Sequence, residues 1–127
     1  MRAITALTAV VLAGIAIAAT PLAEAAQTIT ATPKTVKRTD VQTVRGRGWP
    51  VIEFCSRTVR ASVRTAQNAV PIAQRHIGDN GRFTFRWVPK NKNVAKGSWR
   101  LVVRMRCESG KDGSIFFVKA STRITVN

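Results

Sequence analysis

Few residues of this chain could do chemistry. It has one histidine, His76, two cysteines, Cys55 and Cys107, and six carboxylates, set against 21 lysines and arginines. A hydrolytic triad needs a histidine held by a carboxylate, and His76 stands among Gln74, Arg75 and Ile77 with no acid beside it. Asp40, Glu53, Asp79, Glu108 and Asp112 mostly fall at expected turns or strand ends, where turn and capping roles account for them. The sequence has no Gly-rich phosphate loop and no C-x-x-C, and a lone histidine cannot complete a zinc set. The reading is a non-enzymatic protein with no cofactor and no metal.

The arginines are the residues left to carry a function. Arg60, Arg64, Arg82, Arg86, Arg100, Arg104 and Arg106, with Lys119 and Arg123, all fall on the outward parity of runs that read as strands. On neighbouring strands they would form rows across a sheet face. Like charges directly opposed in a sheet are destabilising, and the carboxylates are too few to neutralise them, so an anionic partner would relieve the repulsion. The forked guanidinium also suits phosphate, sulfate or carboxylate better than a lysine does. The bland alternative is a solvated surface that keeps a small β-protein soluble and guards its edges.

The elements that must position these residues are strands. From Gln27 onward the apolar residues recur with period two, and turn residues interrupt them every eight to twelve positions, which predicts an all-β sandwich or barrel. Seven strands are expected: Thr28 to Thr32, Val41 to Gly48, Cys55 to Arg64, Val70 to Ile77, Arg82 to Trp87, Trp99 to Cys107, and a last run ending at Val126. Pro71 suits an edge strand. Phe83, Phe85 and Trp87 should face inward, as should Trp99, Leu101, Val103 and Met105, and then Phe116, Val118, Ala120, Ile124 and Val126. Cys55 shares its face with Arg57, Val59, Ala61 and Val63, so both cysteines have inward parity.

The chain begins as an export signal does. Arg2 supplies a positive charge, Ala3 to Ala19 is almost wholly apolar, and Thr20-Pro21 breaks the run ahead of an A-x-A-like site at Ala23 and Ala25. The run is short for a membrane span. Residues 1–25 are therefore expected to be a signal peptide and 26–127 a single domain, with no transmembrane span after cleavage. Removing 1–25 takes away Arg2 and Glu24, so the net charge stays at +15. Export meets an oxidising compartment, where a lone cysteine pair becomes a disulfide. Closing a loop of roughly 50 residues would contribute about 4 kcal/mol in the chain-entropy model, in a domain small enough to need it.

Two resemblances follow from short motifs. Ala31-Thr32-Pro33 with Val41-Gln42-Thr43-Val44-Arg45-Gly46-Arg47-Gly48-Trp49-Pro50 resembles the opening of bacterial secreted immunoglobulin-like domains. Asp79-Asn80-Gly81-Arg82-Phe83 and Gly97-Ser98-Trp99-Arg100-Leu101 look like their later landmarks. The resemblance implies an immunoglobulin-like Greek-key sandwich, as do seven short strands with a buried crosslink. The same opening is similar to that of the neocarzinostatin-type apoproteins, which hold a small chromophore in a cleft of such a sandwich. This chain has one cysteine pair where those carry two, and it is basic where they are acidic or neutral.

The leading expectation is a secreted cationic binding module that associates with an anionic cell-envelope component or extracellular polymer. A neocarzinostatin-like carrier of a small ligand is the second, and predicts an apolar cleft near Trp49 or Trp99. A secreted antimicrobial or toxin-like protein is the third. A nucleic-acid surface would add exposed aromatics for stacking. Trp87 and Trp99 have inward parity and Trp49 stands at a strand end where core packing accounts for it, so no specific nucleic acid is expected.

Overall fold

Alternation of small apolar and polar side chains, punctuated by Pro and Gly, yields eight strands in two sheets. The computed structural model describes residues 26–127, and the expected signal peptide lies outside the described residues. In chain order the strands are β1 (Thr28–Thr32), β2 (Thr35–Val36), β3 (Gln42–Arg47), β4 (Cys55–Arg64), β5 (Ala69–His76), β6 (Phe83–Trp87), β7 (Gly97–Glu108) and β8 (Ile115–Val126). A single 3-10 turn, Pro89–Lys92, precedes β7. One sheet has the order β1-β3-β6, the other β2-β8-β7-β4-β5. All pairings are antiparallel except that of β2 with β8. The chain crosses between sheets after β1, β2, β3, β5 and β6, and this strand order is that of an immunoglobulin-like Greek-key sandwich.

The seven expected strands are all present. The eighth, β2, is two residues long, too short to leave a period-two signal. It arises because the chain changes sheets around Pro33, passing from β1 in one layer to the edge of β8 in the other. Strand β5 is an edge strand, as Pro71 suggests, and the β4–β5 ladder slips between Ala61 and Ser62 where Pro71 has no N–H to give.

The core forms where the two inner faces meet. Val44, Val59, Val63, Leu101, Val103, Met105, Ile124 and Val126 are fully buried, and Phe83, Phe85, Trp87 and Trp99 close the layer. Trp49 packs edge-on to Phe83 at 5.7 Å and donates its indole N–H to the Thr28 carbonyl, so it belongs to the core too. Gly46 lies flat beneath the Phe83 ring, where a Cβ would overlap that ring. Gly81 has φ of 76° against the Trp49 backbone, a turn conformation that suits glycine.

Among the described residues Gln42 is the one buried polar side chain, and both its nitrogen and its oxygen have partners. Its amide donates to the Pro33 carbonyl at 2.7 Å and its carbonyl accepts the Trp87 indole N–H at 2.9 Å. It ties the sheet-crossing at Pro33 to strands β3 and β6.

Cys55 and Cys107 form a disulfide, both buried, between β4 and β7. These strands are neighbours in one sheet, so the bridge locks a ladder rather than joining the two layers.

Phe116 departs from expectation. It has the inward parity predicted for it, opposite Cys107, yet it is 42% exposed. Strands β7 and β8 run 12 residues each, about 40 Å, whereas the facing β1, β3 and β6 run only five or six. Parity decides the side of a sheet, but burial requires a facing layer, and that layer ends before Phe116.

Candidate polyanion-binding face

The outer face of the five-stranded sheet gathers most of the predicted arginines. Its three central strands are in register such that Arg64, Arg100 and Arg123 stand directly opposite one another on β4, β7 and β8. Four residues along, Arg60, Arg104 and Lys119 do the same. Neighbouring strands are about 4.8 Å apart and four residues span about 13 Å, so the face presents two parallel rows of three cations. Between them runs a neutral row, Ser62, Val102 and Ser121. Val102 is buried there although it points outward, in a hollow that the flanking basic side chains also line. Arg106 extends the face on β7, opposite Phe117.

Little neutralises these charges. Among the described residues one ion pair is formed, Arg57 with Asp79 at 2.8 Å, and it lies off the two rows. No carboxylate occurs in the rows; the outward acid of β7 is Glu108, at the far end of the strand. The rows instead hold neutral partners: Arg100 donates to the Ser121 hydroxyl, Arg64 to the Ser62 hydroxyl and Arg123 to the Ser98 hydroxyl. Arg104 lies over the Phe117 ring at 4.4 Å, an arrangement that holds the guanidinium near the sheet. A shallow hollow of about 450 Å³ lies between the rows, walled by Arg64, Arg100, Arg104 and Lys119 and floored by Val102 and Ser121. A second, of about 480 Å³, opens beside Trp99 and is walled by Arg64, Arg100, Arg123, Thr65 and Ser98.

Two predicted members lie elsewhere. Arg82 and Arg86 belong to the three-stranded sheet, Arg86 on β6 and Arg82 just ahead of it. Their parity is outward, but outward on the opposite side of the sandwich, so they do not join the rows. They share that side with Arg45 and Arg47 of β3 and with the threonines of β1.

Sequence reading gave Arg57 an inward position, and its actual role is structural. At an irregularity of β4 it reaches the Ile77 carbonyl at 3.0 Å as well as Asp79, clamping the turn that leads to β6. His76 is exposed on the edge strand β5. No group of three metal-ligating side chains occurs among the described residues, and no helix there is long and apolar enough to cross a membrane.

No protein-family model matches the chain, and no curated protein matches it. Among solved structures it is similar to the crystal structure of the CARDB domain of the PF1109 protein in complex with di-metal ions from Pyrococcus furiosus. Identity is 14%, the match covers 80% of this chain and 90% of that one, and the TM-score is 0.43. That likeness is one of general β-rich build, and the fold assignment rests on this chain's own strand order and register.

Proposed function

We propose that this domain is a secreted, non-enzymatic module that holds an anionic polymer of the cell envelope or its surroundings on the outer face of its five-stranded sheet. One observation carries the reading: Arg64–Arg100–Arg123 and Arg60–Arg104–Lys119 form two cross-strand rows with no carboxylate among them. Rows of like charge on a rigid ladder repel one another, and a chain of anions laid along or across them relieves that repulsion while the forked guanidiniums supply paired hydrogen bonds. The serine row between them offers hydroxyls to neutral parts of the same polymer.

Two further features support it. The disulfide suits an oxidising, extracellular setting, in keeping with a signal peptide at residues 1–25. The hollow beside Trp99 is lined by Trp99 and Ala66 together with Arg64, Arg100 and Arg123, so three cations stand around it for an anion to meet.

The test is retention on a phosphate-bearing matrix and binding of a defined soluble polyphosphate across a salt series. The triple variant Arg60→Glu, Arg104→Glu, Arg123→Glu should lose retention, while Arg45→Glu, Arg86→Glu, Lys92→Glu, with the same change in net charge, should keep most of it. Equal loss in the two triples would mean that overall charge rather than this face is responsible, and the reading would fall.

A further inference from the structure

The exposed apolar side chains are not scattered. Of six large ones among the described residues, five (Ile52, Phe54, Ile115, Phe116 and Phe117) lie at the end of the sandwich that holds the disulfide, each 42 to 45% exposed. They are neighbours: Phe116 stands opposite Cys107, Ile115 opposite Glu108, Glu108 donates its N–H to the Phe54 carbonyl, and Cys55 to that of Ile52. Acids border this tip, with Glu53 between Ile52 and Phe54, Glu108 beside Ile115, and Asp112 in the adjoining turn. Four of the domain's five carboxylates are at this end, counting Asp79; the loops here also hold Arg82 and Lys111.

The other end has the opposite character. Its connections, residues 33–41 and 88–96, carry Lys34, Lys37, Arg38, Lys90, Lys92 and Lys96 against Asp40 alone. The sixth exposed hydrophobe, Val41 at 49%, is here. It borders a hollow of about 590 Å³ lined by Pro33, Val36 and Val41 among two threonines, Lys37, Asp40 and Asn127, a size that accepts a protruding group. A protruding apolar tip with an acidic margin and a hollow of mixed lining with a basic margin therefore occupy opposite ends of one molecule.

From this complementarity we infer that the occupant of the tip is a second copy of this chain, docked head to tail, with Phe54 and Phe116 seated in the partner's hollow beside Lys37 and Val41. Such a contact uses different surfaces on the two copies and does not close on itself, so it builds linear arrays. The long axis of the sandwich would lie along the array, leaving the arginine face of every copy open. Five side chains are far fewer than the roughly 20–30 residues a side of a standard stable interface, so association is weak and concentration-dependent.

The experiment is sedimentation equilibrium of the purified protein over a concentration series at about 0.15 M salt, where a Debye length of about 8 Å screens the net +15 charges of two copies from each other. The wild type should pass from monomer through dimer to larger species. Phe54→Ser/Phe116→Ser removes the tip and Lys37→Glu/Val41→Glu spoils the hollow. Each protein alone should stay monomeric with an unchanged melting temperature. Mixed one to one, they should form a heterodimer and stop there, because the pair retains one good tip and one good hollow. A wild type monomeric at every concentration overturns the proposal. So does self-association that survives in either variant, or a mixture that stays monomeric. Phe54-dependent flotation of a monomeric wild type with phosphatidylglycerol vesicles would assign the tip to lipid instead. Loss of array formation with polyphosphate binding intact would leave the polyanion reading standing, since Phe54, Phe116, Lys37 and Val41 lie outside the two basic rows.

Discussion

If the basic rows are held together against their own repulsion, screening that repulsion must stabilise the free protein. Four like-charged pairs stand directly opposite across strands: Arg64 with Arg100, Arg100 with Arg123, Arg60 with Arg104, and Arg104 with Lys119. With the charged heads splayed to ~7 Å in water, each pair costs about 0.6 kcal/mol before screening. The Debye length falls from about 30 Å at 0.01 M salt to about 3 Å at 1 M, so the four pairs together drop from ~2 kcal/mol to a few tenths. Sodium chloride across that range should therefore raise the unfolding free energy by about 1.5 kcal/mol, which at an m-value near ~1.5 kcal/mol/M moves a urea midpoint by about 1 M. Urea is the right denaturant because guanidinium is itself a screening salt. Arg100 takes part in two of the four pairs, so Arg100→Gln should stabilise the protein at low salt and halve its salt response. A midpoint that stays flat or falls with sodium chloride, or a variant whose salt response equals that of the wild type, would refute the argument. The rows would then be ordinary solvated charges with no strain for an anion to relieve.

Three further outcomes are expected. Gln42→Leu leaves the Trp87 indole N–H and the Pro33 carbonyl without their buried partner, at about 1–3 kcal/mol for each orphaned group; urea unfolding should show a loss of at least ~2 kcal/mol, and a loss under half of that would mean both groups find other partners. Replacing Cys55 and Cys107 together by alanine opens a loop with a sequence separation of 52 and should cost about 4 kcal/mol in the chain-entropy model, seen as a lowered urea midpoint with the strand signal in circular dichroism retained before the transition. The Asp112 carboxyl accepts from the Ser114 N–H and hydroxyl, which with the Ser109 hydroxyl hold it below its ordinary value of 3.8; a carboxyl depressed in the folded state stabilises the turn above that value and ceases to as pH falls through the lowered one, so the Ser114 amide resonance should titrate below pH 3.8, and Asp112→Asn should abolish that titration.

The strands and the cysteine pair were legible because each depends on one rule, alternation, that sequence carries directly. Cys55 and Cys107 share inward parity on strands that prove to be neighbours. The arginine rows were half legible. Parity identifies Arg60 and Arg86 alike as outward, but only strand order says that β4 and β6 belong to different sheets, and strand order is a property of non-local pairing. Phe116 failed for a related reason: parity names a side, and the length of the facing layer decides whether that side is covered. Strand β2 was too short for any period to register. Gln42 gave no signal beyond a polar residue at an inward position, since its two partners, Pro33 and Trp87, are nine residues before it and 45 after it.

The parallel pairing of β2 with β8 has a consequence for the order in which this domain can be made. Thr35 and Val36 need Thr125 and Val126, Arg38 donates its N–H to Asn127, and Asn127 returns one to Val36. A segment at the front of the domain is thus clasped by residues 125–127, among the longest-range closures in the fold, and contacts of that separation form late because their loop entropy must be met first. A chain made from its N-terminal side holds β2 unpaired until residues 125–127 are free. Until that moment the five-stranded sheet lacks its β2 edge, and the rim of β8 stands open.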